Sequence, residues 1–219
     1  MRLDTQLAAH WLVLAYDAAN CDYRERFRHV RDVVFLSTHN EAKVPTSLGE
    51  LCDQATSNMV HISGNNNDTS IYGPEGNFKF RCFHDLGHVV YGRRFVLEDE
   101  VQLALRQWDD LAVHIPPVFR AECRVVYYAD TVAQSYYCAL TGEFPRDQTD
   151  FVEFVASALA DQNSSSTCEE LAARYAALND DSIGQSELAV WARQINTSNQ
   201  AQRQGLFRRI YNAITRKAA

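Results

Sequence analysis

Apolar residues return every three or four positions along most of this chain, and runs that alternate apolar with polar are absent. That is the period of an α-helix, in which side chains three and four apart share a face; a half-buried strand needs a period of two. The sequence therefore predicts an all-α fold, a single-domain helical bundle of about eight to nine helices. The spacing places helices over residues 4–19, 22–37, 47–60, 78–91, 97–114 and 118–141. It continues with helices over 148–160, 168–178, 184–195 and 199–216. Gly92, Pro116-Pro117 and Gly142 supply stops between them. The clearly irregular segment is residues 63–76, rich in Asn, Gly and Ser, which runs directly into the helix at 78–91. At 219 residues the chain suits one domain, with its core over about 1–160 and a helical extension over about 168–217.

Charge narrows the function classes. The formal net charge is −7, which makes a general nucleic-acid coat a poor fit. All acidic residues lie at or before Glu187, and six basic residues follow it. A basic terminal helix could contact phosphate or an acidic partner, although a solvated face explains it as simply. Residues 1–20 do not read as a signal peptide, and no run is apolar enough for a membrane span. The six cysteines include no Cys-x-x-Cys pair. Together these point to the cytoplasm, with free thiols and no membrane.

Chemistry concentrates at His84-Asp85-Leu86-Gly87-His88. Residues four apart on a helix stand one above the other, so the two imidazoles can grip one metal ion. The flanking surface is apolar (Phe80, Cys82, Phe83, Leu86, Val89), so these polar groups need partners, either a metal or a hydrogen-bond network. A second buried acid is expected at Asp130, within the apolar run Val125–Ala133; Glu122, Asp130 and Gln134 share an i+4 row. Leu97-Glu98-Asp99-Glu100 opens the next helix, where acids suit the helix dipole; Glu98 or Glu100 could also fold back onto the histidines. His61 is the nearest upstream candidate ligand, with His29 and His39 behind it. Arg81, Arg93 and Arg94 flank the motif and are candidates to hold phosphate oxygens.

The doublet His84-Asp85, followed by Leu-Gly-His, resembles the signature of the HD phosphohydrolase superfamily, and Tyr128-Ala129-Asp130-Thr131 is similar to that family's late Ala-Asp helix. The resemblance spans residues 84–130. It implies an all-α enzyme in which His84, Asp85 and Asp130, with an upstream histidine, hold a divalent metal that activates water against a phosphate ester, often of a nucleotide. No upstream histidine stands unambiguously where that family places its first ligand. The wider layout Arg81-x-x-His84-Asp85-x-x-His88, Phe95-x-x-Glu98 and Phe144-Pro145-x-x-Gln148 looks like that of small uncharacterised phage-encoded proteins, which implies a viral origin.

These residues support a metal-dependent phosphohydrolase, with His61, His84, Asp85, His88 and Asp130 as metal candidates, Asp85, His88 and Glu98 as catalytic candidates, and Mn, Mg, Co, Ni or Zn as the ion. The expected partner is a small phosphate ester or nucleotide, and a homo-oligomer is compatible with the chain. A zinc-dependent His-x-x-x-His hydrolase is the alternative, with Glu98 or Glu100 as third ligand and Asp85 in the place of the usual Glu base. A helical di-metal carboxylate protein using Glu98, Glu122 and Asp130 is a third reading; a non-enzymatic helical protein that binds a host partner is the fourth.

Overall fold

A computed structural model of the chain describes residues 3–65, 67–161 and 166–179. Helices carry the fold, as the periodicity predicts. They are α1 (Thr5–Arg26), α2 (Leu48–Thr56), α3 (Gly73–Tyr91), α4 (Leu97–Leu111), α5 (Arg120–Tyr128), α6 (Gln134–Thr141), α7 (Gln148–Ala160) and α8 (Cys168–Asn179). Residues up to Tyr175 form one compact unit, and Ala176 begins a second. The helices expected at 184–195 and 199–216, and most of the expected extension, lie outside the described residues.

Two expected helices are corrected. The helix expected over 22–37 does not exist as such. α1 runs on to Arg26, a short 3-10 turn follows at Arg28–Val30, and Val34–Thr38 is a strand, β1. The helix expected over 47–60 stops at Thr56, Asn58 turns the chain with a φ of 58°, and Met59–Ser63 forms a second strand, β2. β1 and β2 pair in parallel, with Val34 opposite Met59 and Leu36 opposite His61, so α2 is the crossover of a small βαβ unit. Short apolar runs fit both periods over four or five residues, and here the β-branched and aromatic side chains decide for the strand.

The core forms where α1 crosses α3. Tyr16 and Tyr23 of α1 are fully buried against Phe83 of α3, with ring centroids 5.8 and 5.2 Å apart. α1 is started by Asp4, whose carboxylate accepts the Leu7 N–H. α3 opens with Pro74 in its first turn and closes at Gly92, whose φ of +62° lets its N–H return to the His88 carbonyl. The 118–141 helix is present but not uniform. α5 and α6 are joined through a π-helical turn at Ala129–Ala133, with Asp130 inside it. Such turns widen the helix locally and are often found at functional sites. Among the described residues no helix is long and apolar enough to cross a membrane. The cysteines are free, as expected.

Candidate metal centre

α3 and α4 meet at the His-Asp motif. His84 and His88 stand one turn apart on α3, and Glu100 of α4 closes onto both. The Nε2 atoms of His84 and His88 are 3.0 Å apart; Glu100 Oε2 lies 3.1 Å from the first and 3.4 Å from the second. Two nitrogens and one oxygen held by a tetrahedral ion with bonds of ~2.0–2.1 Å would be ~3.3 Å apart. The donor set and its spacing fit a divalent ion, and His84, His88 and Glu100 are the one such group among the described residues.

The far nitrogens of the two rings explain why the near ones matter. His88 Nδ1 lies 2.7 Å from the Arg93 carbonyl, which can only accept, so this nitrogen carries the proton. His84 Nδ1 lies 3.2 Å from Gln107 Oε1. The Gln107 amide is oriented by its other end, where Nε2 donates to the Phe83 carbonyl at 2.7 Å. Its oxygen therefore faces His84, and His84 Nδ1 is also assigned the proton. Both neutral rings then turn an Nε2 lone pair toward the same point, where a Glu100 oxygen adds a third. Three lone pairs converging in a partly buried site repel one another unless a cation sits among them. Either a metal ion or a shared proton meets that demand. Without a metal, burial would drive the His84 pKa down, but the hydrogen bond and charge of Glu100 raise it. Burial would likewise raise Glu100, yet the hydrogen bonds and charge of His84 and His88 hold it at about 2.

Packing fixes this arrangement. His88 is 1% exposed and its ring lies edge-on to Phe95, with centroids 4.6 Å apart. Gly87 makes room for Gln107: a Cβ there would overlap Gln107 Nε2 and lie 2.7 Å from its Cδ. The glycine of the motif thus permits the close approach of α4 that orients His84.

His84 and Glu100 open onto a cavity of about 740 Å³ that Arg81, Asp85 and Asp130 also line. Asp130 is fully buried within the protein, and burial lifts its carboxyl to about 7 against a hydrogen bond from Tyr72 and the charges of Arg81 and His84. The Tyr16 hydroxyl in turn donates to that of Tyr72 at 3.0 Å. Burial raises Asp85 as well, opposed by His84, His88 and Arg81. Arg81 donates to the Ser63 carbonyl at 2.8 Å, pinning the start of the Asn-rich segment to α3.

The remaining candidates fall elsewhere. His61 is in β2, where its N–H and ring face Gln54 Oε1, and it joins neither the donor group nor the cavity lining. His39 bonds Asn65, and His29 is exposed beside Phe27. Glu98 is exposed and accepts from Gln102, because it points away from α3 two residues before Glu100. Arg93 and Arg94 pair with Asp99 outside the cavity; of the Arg93 groups, the backbone carbonyl is what reaches the site. Asp85 and Asp130 line the cavity without entering the converging donor group. Glu122 does not line it, which removes the carboxylate pairing a di-metal site would need. Gln107 and the Arg93 carbonyl were not anticipated. Glu100 and Gln107 are seven residues apart on one helical face, a polar pair in an apolar stripe with Leu103 and Ala104, and that spacing is the signal for them.

No known protein family, no curated protein and no solved structure matches this chain.

Proposed function

We propose that the protein is a metal-dependent hydrolase whose ion is held by His84, His88 and Glu100. The observation that carries this reading is the convergence of both Nε2 lone pairs and a carboxylate oxygen on one point at the edge of a large cavity. Two imidazoles and one carboxylate are a donor set for Zn, Co, Ni or Mn more than for Mg, and three protein donors leave a coordination position open toward substrate. Bound there, the ion would supply Lewis acidity toward water and toward the oxygen of a scissile group.

The chain's own residues have separable roles. Gln107 and the Arg93 carbonyl keep both histidines in the tautomer that exposes Nε2. Asp130, buried with its carboxyl at about 7, lines the cavity and lends it negative charge as pH rises through neutrality. Phe95 packs over His88 and keeps water from its inner edge. The His-x-x-x-His arrangement with Glu100 as third ligand accounts for this geometry better than an HD-type set. The phosphohydrolase reading keeps one supporting observation, that His84, Asp85 and Asp130 line the same cavity.

The test is metal binding by the purified full chain, using calorimetric titration with Zn, Co, Ni, Mn and Mg. Stoichiometric binding that is lost in His88→Ala and in Glu100→Gln is the expected result. A chain that takes up none of these ions, or binds them equally well after both substitutions, refutes the proposal and leaves a buried polar network.

A further inference from the structure

The cavity beside the histidines has a chemical bias that the hydrolase reading does not specify. Four carboxyl groups line it: Glu41, Asp85, Glu100 and Asp130. Arg81 is the one arginine or lysine among the lining residues. Its guanidinium is already engaged, donating to the carbonyls of Ser63 at 2.8 Å and Asn65 at 3.5 Å. It also faces the charges of Asp85, Asp130 and Glu41. The two further cations that a phosphate would use, Arg93 and Arg94, are outside the cavity and paired with Asp99. Without an ion, four carboxyl groups face one guanidinium; a divalent ion on the histidines would bring the two signs close to balance. In the ion-free lining a phosphate dianion would meet more repulsion than attraction, whereas a cation would be drawn in.

A second feature points the same way. Gln134 lies one turn beyond Asp130 on the same wall, is 7% exposed, and its Nε2 has no hydrogen-bond partner. A buried amide donor left unpaired is costly, and an acceptor on a ligand would recover that cost. A carbonyl oxygen is such an acceptor. Phe80, Phe95 and Leu97 add apolar lining, which suits the carbon skeleton of such a ligand.

We propose that this cavity selects a carbonyl compound bearing an amine or guanidinium group, an amide or ester rather than a phosphate ester. The cationic head lies toward Asp130 and Glu41, and the carbonyl lies toward Gln134 and the metal donors. Hydrolysis of such a compound is redox-neutral: water's oxygen bonds to the acyl carbon, the C–N or C–O bond breaks, and the leaving nitrogen or oxygen takes a proton. This rests on the hydrolase reading for the reaction, but the selection of charge does not depend on a bound ion.

The experiment is a binding comparison on the full chain, with and without zinc, by ligand-observed NMR and calorimetry. The probes are Nα-acetyl-arginine amide, its uncharged counterpart Nα-acetyl-norleucine amide, and AMP. The arginine probe is expected to bind at least ~tenfold more tightly than either of the others at low salt, with the margin shrinking as salt is raised. Asp130→Asn, and separately Glu41→Gln, should each erode that margin while leaving the norleucine probe unchanged. Two variants on different elements guard against misfolding of one, and each is checked by its circular dichroism and melting curve. AMP binding as tightly as the arginine probe, equal binding of the two amides, or no arginine-probe binding in the millimolar range overturns the inference. Failure to bind zinc with the arginine preference intact would instead sink the hydrolase reading alone.

Discussion

Replacing Gly87 by alanine should separate orientation of the proposed metal donors from their mere presence. In the interior of a helix, glycine to alanine ordinarily stabilises by about 1 kcal/mol. Here the added Cβ would lie 2.7 Å from Gln107 Cδ and 3.1 Å from Leu103 Cδ1, where carbon atoms rest at ~3.5–4.0 Å. Gln107 is fully buried, so its carboxamide must retreat by roughly 1 Å, enough to break hydrogen bonds now 3.2 Å to His84 Nδ1 and 2.7 Å to the Phe83 carbonyl. Each buried group left unpaired costs ~1–3 kcal/mol, so the two losses outweigh the gain in helix propensity. The net expectation is a destabilisation of ~1–5 kcal/mol, which lowers the melting temperature by several degrees. His84 also loses the partner that fixes its tautomer, and metal affinity should fall ~10–100-fold although His84, His88 and Glu100 are all retained. Thermal melting and calorimetric zinc titration of the wild type and Gly87→Ala read the two effects. The double variant Gly87→Ala/Gln107→Ala removes the clash, so it should recover part of the stability but not the affinity. A Gly87→Ala protein that melts above the wild type and binds zinc as tightly would refute this account of the glycine.

Three further outcomes follow from the same geometry. Glu100→Gln should cost at least ~tenfold in zinc affinity, whereas His61→Ala and Glu98→Gln should leave it within about twofold; calorimetry distinguishes them, and a large loss in His61→Ala would place the donor set elsewhere. Asp130 has its folded pKa raised to about 7, so its contribution favours the fold below the ordinary carboxyl range and is lost as pH rises through 7. Asp130→Asn should therefore be more stable than the wild type at pH 8, by at most a few kcal/mol, and show little such gain at pH 4; denaturant melts at the two pH values check the sign. Finally, zinc at about a hundredfold over its dissociation constant should stabilise the fold by roughly 3 kcal/mol, and a chelator should remove that increment. An unchanged melting temperature on adding and removing zinc would argue against a site built in the native state.

Residues near in sequence made part of the site legible. The i,i+4 pair His84 and His88 in an apolar helix, and a buried acid at Asp130, follow from period and hydropathy alone, and the structure puts all three where those patterns imply. Helical spacing likewise anticipated α3, α4, α7 and the boundary at Gly92. The strands β1 and β2 were not legible, because five residues offer too few positions to separate a period of 2 from one of 3.6. Nor was the choice between Glu98 and Glu100: both open α4, both suit its dipole, and only the way α4 crosses α3 turns one toward the histidines and the other to solvent. The same holds for Arg93 and Arg94, which adjoin the motif in sequence but are turned to Asp99 after the left-handed turn at Gly92.

What the sequence determined by itself is therefore the helical class and the pair of imidazoles on one face, since both depend on local spacing. Tertiary packing alone decided which carboxylate completes the group, which tautomer each ring adopts, and that the cavity beside it is acidic. Those depend on distances between helices, set by contacts as particular as the absence of a Cβ at Gly87.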